Sequence, residues 1–123
     1  MAEQRVAVVT GGSRGIGRAV ATTLAAAGQA VVVGYAGNEA AAAEVVGEIT
    51  AAGGRAVGAQ ADVADEHAVA AMFDLAEKEF GGVDVVVNSA GRMALSTIAE
   101  LDLDELDALH RTNIRGTFVV ARE

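Results

Sequence analysis

Short apolar runs alternate with longer runs of helical character along the whole chain. The apolar runs cover Arg5 to Val9, Ala30 to Gly34, Ala56 to Gln60 and Val83 to Val87. Most are unbroken in Val and Ala, not alternating with polar residues, which is the pattern of strands buried on both faces. Between them lie helix-forming stretches, Gly15 to Ala27, Asn38 to Ala52, Asp65 to Phe80 and Asp102 to about Arg122. Gly28, Gly53-Gly54 and Gly81-Gly82 follow three of these, where a left-handed cap is needed. Asn38 and Asp65 stand where N-caps belong. Strand–helix alternation with short connections means βαβ units and a parallel sheet. Right-handed crossovers then favour the strand order 3-2-1-4, with the chain changing direction between strands 1 and 4. The expected fold is α/β: a Rossmann-like parallel sheet with helices on both faces, a single domain over residues 1–123 that stops before a strand 5.

Ligands in such sheets bind beyond the carboxyl ends of the strands, at the point where the order reverses. Strand 1 runs straight into Thr10-Gly11-Gly12-Ser13-Arg14-Gly15-Ile16-Gly17. Glycines let the backbone turn tightly and approach a ligand closely. The first turn of the following helix presents unpaired N–H groups, and its dipole favours an anion. A strand before the glycines and a helix after them is the context in which this pattern signals a dinucleotide. Gly11, Ser13, Arg14, Gly15, Ile16 and Gly17 are therefore candidate cofactor-binding residues.

The ends of the other strands add to this group. Strand 2 leads into Gly34-Tyr35-Ala36-Gly37-Asn38, with no carboxylate where dinucleotide folds place one on the adenosine ribose. Glu39 comes too late and belongs to the next helix. Without that negative charge a 2′-phosphate is not repelled. Arg14 can meet it as a charged fork, with Tyr35 and Asn38 beside it. This favours NADP(H) over NAD(H). Asp62, before Val63, is an acceptor for an exocyclic amine such as adenine N6, or alternatively a turn residue. In Asn88-Ser89-Ala90-Gly91, Asn88 is expected to bond the backbone of the glycine loop, and Ala90 and Gly91 to let a nucleotide pass.

These motifs together resemble the N-terminal half of a short-chain dehydrogenase/reductase of the Thr-Gly-x-x-x-Gly-Ile-Gly group. Asp62-Val63 matches the family's adenine-contacting pair. Asn88 to Gly91 matches its Asn-Asn-Ala-Gly motif, with Ser89 in the second place. Ser13-Arg14 and Gly34 to Asn38 look most like the NADP-using 3-oxoacyl-carrier-protein reductases. The resemblance covers the whole chain and keeps the family's order. It implies that Asn113, in Asn113-Ile114-Arg115-Gly116-Thr117-Phe118, is the tetrad asparagine of a proton relay. Asn113 shares a helical stripe with Leu106 and Leu109 and is expected to face inward.

The resemblance also implies a later Ser and a Tyr-x-x-x-Lys pair as proton-transfer groups. Tyr35 is the sole tyrosine, Lys78 the sole lysine, and no Ser follows Ser96. The expectation is a cofactor-binding half, inactive alone. Two other readings stay open: a non-catalytic self-associating module, or a half-enzyme completed by another chain. The apolar edge of strand 4 and the last helix are the expected contacts of a homo-oligomer.

Charge and composition narrow the partners. Net charge is −8 with a pI near 4.6, which argues against nucleic acid or anionic membrane as partner. There is no Cys, so no thiolate metal site, and a reducing, cytoplasmic compartment is expected. No signal peptide or apolar span is visible. His67 and His110 read as surface residues. Asp102, Asp104, Glu105 and Asp107 read as favourable charge at a helix N-terminus, not as a metal site.

Overall fold

A computed structural model describes residues 4–92 and 96–123. Strands β1 (Val6–Thr10), β2 (Ala30–Tyr35), β3 (Ala56–Gln60) and β4 (Val85–Asn88) form one parallel sheet in the order β3-β2-β1-β4. The helices between them are α1 (Gly15–Ala26), α2 (Glu39–Ala51) and α3 (Glu66–Phe80). A 3-10 turn (Ile98–Glu100) follows β4 and leads to α4 (Leu103–His110), a π-helical turn (Arg111–Arg115) and α5 (Gly116–Arg122).

Successive side chains of the strands point to opposite faces, so the sheet has two cores. Val9, Val31 and Val33 pack under Ala21 and Ala25 of α1 and Ala42, Val45 and Ile49 of α2. Val6, Val8 and Val32 pack under Val69, Met72 and Ala76 of α3 and Val119 and Val120 of α5. Small residues on α1 and α2 let those helices sit close to the sheet. The expectation of strands buried on both faces holds for the central pair: every residue of β1 is buried. β3 and β4 lie at the sheet's edges and are partly exposed, Val86 by 43%.

The local signals act as expected. Asn38 accepts from the Ala41 N–H at 2.9 Å, and Asp65 accepts from the N–H groups of His67 and Ala68. Gly28, Gly53 and Gly81 have φ of 92°, 89° and 89° at the helix ends.

Two expectations are corrected. Strand 4 begins at Val85, not Val83, because Asp84 ends the ladder with its side chain. Its carboxylate accepts the Val6 N–H at 2.8 Å while its own N–H donates to the Val6 carbonyl at 2.8 Å. The last helix runs over 103–122 but is not α-helical throughout: a π turn at Arg111–Arg115 separates α4 from α5, and a Cβ at Gly116 would run into Val63. Gly116 therefore packs directly on the loop after β3. Among the described residues, no helix is long and apolar enough to cross a membrane.

Candidate functional site

Parallel pairing places the carboxyl ends of all four strands on one side. There they open into a cleft of about 580 Å³. Its floor is the glycine loop. Gly11 has φ of 62°, and a Cβ there would lie 2.8 Å from the Ala90 Cα, so the loop passes tightly under the wall after β4. Gly17 is the second tight point: a Cβ would collide with the Gly11 carbonyl oxygen. That contact seats the start of α1 directly behind the loop. No acidic residue stands in the first turn of α1, so its N–H groups face the cleft without a competing charge. Gly12 ties the loop to β2, donating its N–H to the Gly34 carbonyl at 2.9 Å.

Register decides the next contact. Thr10 and Asn88 are direct partners across β1 and β4. The buried Thr10 hydroxyl donates to Asn88 Oδ1 at 2.7 Å and accepts the Ala90 N–H at 3.1 Å. The expected bond from Asn88 to the backbone of the glycine loop is thus corrected. Its partner is the Thr10 side chain, one residue before the loop, because parallel register brings those two side chains abreast.

Of the residues singled out in the sequence, Gly11, Ser13, Arg14, Gly15, Ile16 and Tyr35 line the cleft, as do Asn38, Asp62, Val63, Ala90 and Gly91. Gly17 and Asn88 support the floor from behind. Arg14 is exposed and enters no ion pair among the described residues. Ile16 is 80% exposed at the mouth of the cleft. Asp62 behaves as the turn residue of the two alternatives, and adds an ion pair. One oxygen accepts the Ala64 N–H at 2.9 Å as a turn residue, and the other faces the Arg111 guanidinium at 3.3 Å.

Asn113 does not line the cleft, although its neighbour Thr112 does. Nor does it face inward as expected: it is exposed, within the π turn, where the regular helical spacing from Leu106 and Leu109 no longer holds. Its amide instead clamps the backbone of Arg92. Oδ1 accepts the Arg92 N–H at 2.8 Å, and Nδ2 donates to the Arg92 carbonyl at 2.8 Å. His67 and His110 are exposed, and no cluster that could hold a metal occurs among the described residues. Asp102 caps α4, accepting the Asp104 N–H at 2.9 Å.

Several residues of the site carried no separate weight in the sequence, Thr10, Gly34, Met72 and Thr112 among them. Thr10 was legible as the opening of the glycine motif, but its two bonds depend on register. Gly34, Met72 and Thr112 also line the cleft. Met72 belongs to the buried stripe of α3, and nothing in its spacing marks it as part of a site.

The model of the short chain dehydrogenase family matches residues 5–123. The chain belongs to the short-chain dehydrogenase family. A versicolorin reductase of Emericella nidulans is 44% identical over 97% of this chain and 45% of its own length. A probable tetrahydroxynaphthalene reductase of Zymoseptoria tritici is 42% identical over the same shares. Among solved structures, a short chain dehydrogenase of Burkholderia cenocepacia in complex with NADP is 42% identical. The TM-score is 0.91, over 98% of this chain and 49% of that one. This short-chain dehydrogenase chain thus spans about half the length of the relatives it matches.

Proposed function

We propose that this chain is the NADP(H)-binding half of a short-chain carbonyl reductase. The observation that carries the reading is Arg14: exposed at the N-cap of α1, on the cleft wall shared with Tyr35 and Asn38, with no carboxylate at Gly34, Tyr35 or Ala36. The residues present fit a phosphorylated dinucleotide. The first turn of α1 offers N–H donors to the pyrophosphate. Arg14, with Asn38 near it, meets the 2′-phosphate. Asp62 accepts from adenine N6 and Val63 lines the same end. Ala90 and Gly91 leave room for the second nucleotide, on the β4 side. The cofactor, when bound, supplies a hydride. The chain's own residues hold and orient it. Asn113 acts as a positioning residue through Arg92, since both ends of its amide are engaged.

The substrate class is proposed as a carbonyl compound. A 3-oxoacyl thioester is suggested by the glycine-loop resemblance, whereas two of the relatives named above are a versicolorin reductase and a probable tetrahydroxynaphthalene reductase. No Tyr-x-x-x-Lys can be written in these residues, so the chain alone is proposed to be inactive. Self-association is part of the same reading. Among the described residues the outer edge of β4 is unpaired, and Leu103, Ile114 and Phe118 of the last helical segments are 69%, 53% and 74% exposed. A second copy would cover one of these surfaces.

The deciding experiment is a fluorescence titration with NADPH and with NADH. Saturable NADPH binding, with weaker NADH binding, is expected. Arg14→Ala should weaken NADPH about tenfold, the scale of one charge-assisted contact at an exposed site, and leave NADH unchanged. Equal affinity for both nucleotides, or a folded chain that binds neither, overturns the reading. Turnover of a 3-oxoacyl thioester by the chain alone overturns the claim of inactivity. A monomer at micromolar concentration in a sedimentation run overturns self-association.

A further inference from the structure

The cleft wall after β4 is tied at both ends. Upstream, Thr10 takes the Ala90 N–H. Downstream, Arg92 is held by its backbone, through Asn113, and separately by its side chain. Arg92 Nε donates to Glu105 Oε1 at 3.1 Å, and Nη2 donates to Glu105 Oε2 at 3.0 Å. This is a two-pronged fork, the geometry that makes an Arg–carboxylate pair directional. Glu105 stands in the first turn of α4, on the side of the fork nearest the helix N-terminus. Neither Arg92 nor Glu105 lines the cleft.

We propose that Glu105, acting through Arg92, is a positioning residue that sets the height of the Ala90-Gly91 wall on the second-nucleotide side of the cleft. The Asn113 clamp alone is two neutral hydrogen bonds between exposed groups, which water can replace. The fork adds a charge-assisted link from the same helical unit to the same residue. Together they prevent Arg92 from rotating, and with it the peptide that follows Gly91. The adenine side of the cleft is held by other contacts, those of Asp62 and Arg115: the latter's Nε donates to the Ala64 carbonyl at 2.9 Å. Loss of the fork should therefore affect one side of the cleft only. The inference rests on the NADP(H) reading above.

The test compares NADPH with adenosine 2′,5′-bisphosphate, which fills only the adenine side, across wild type, Glu105→Gln, Arg92→Lys, Arg92→Ala and the double variant Arg92→Ala/Glu105→Gln. Glu105→Gln and Arg92→Ala should each weaken NADPH about two- to fivefold, the range of an exposed ion pair of good geometry. Arg92→Lys, which keeps the charge but not the fork, should fall between them and wild type. The double variant should be no worse than either single. Binding of the adenosine bisphosphate should be unchanged throughout. The blue shift of nicotinamide emission on binding should shrink in parallel with the loss of NADPH affinity. Unchanged NADPH binding overturns the proposal, as does tighter binding from an Arg92 released toward a phosphate. So does equal loss of both ligands together with melting temperature, which would mark a merely structural pair. Wild type that fails to bind NADPH sinks the cofactor reading and this inference with it. Wild type that binds, with variants that match it, sinks this inference alone.

Discussion

Thr10→Val replaces a hydroxyl by a methyl of nearly the same shape at a site that is 1% exposed. The hydroxyl both donates to Asn88 and accepts from the Ala90 N–H, so the change leaves two groups without their partner. Asn88 is exposed and can turn its oxygen to water. The Ala90 N–H is half-buried and bears most of the loss. A buried polar group left unpaired costs about 1–3 kcal/mol. Valine's preference for strands returns a few tenths of a kcal/mol, so a net loss of about 1–2 kcal/mol is expected. For a chain of this length each kcal/mol lowers the melting temperature by about 4 °C, giving a drop of about 4–8 °C. Thr10→Ser keeps the hydroxyl and loses a methyl, which by itself costs about 1 kcal/mol. Melting temperature therefore separates the two variants poorly, and NADPH affinity separates them well. The valine variant should bind NADPH severalfold more weakly, because Ala90 is no longer held against Gly11. The serine variant should bind nearly as wild type does. Valine binding as tightly as wild type, or serine as weakly as valine, would refute the role given to the hydroxyl.

Gly17→Ala places a methyl on the Gly11 carbonyl oxygen, so α1 must move away from the loop. Thermal denaturation should show a loss of about 3 kcal/mol, and NADPH binding should vanish; a stable variant with intact binding contradicts the packing described. Acid should loosen the end of the chain. The Arg122 guanidinium, hydrogen-bonded at 2.6 Å, holds the Glu66 carboxyl below its ordinary range. A carboxyl whose folded value lies below its unfolded value of about 4.3 stabilises the fold above that pH, and loses this as pH falls through the folded value. Protection of the α5 amides from exchange, taken relative to the intrinsic rate at each pH, should thus fall below about pH 4 in wild type, while Glu66→Gln should show the lower protection already at neutral pH. Identical profiles would remove the tether.

Much of the site was legible because it is local. A glycine loop between a strand and a helix, caps at Asn38 and Asp65, and a missing carboxylate after β2 are all properties of a few adjacent residues. Their physics, backbone freedom and unpaired helix N–H groups, does not depend on distant parts of the chain. Asp62 was partly legible: its turn bond to Ala64 is local, whereas its ion pair with Arg111 spans 49 residues.

The sequence by itself determined the alternation of elements, the parallel sheet, its order and the place of the cleft. Hydrophobic runs, turn residues and the handedness of crossovers leave little else. Only the tertiary structure decided which side chains meet across strands and helices. Asn88 pairs with Thr10 because parallel register sets them abreast. Asn113 reaches the backbone of Arg92, and Glu105 its side chain, because the last helical segments pack beside the loop after β4. Such contacts join residues 13, 21 or 78 positions apart, and their geometry depends on how helices seat on the sheet, which no local pattern encodes.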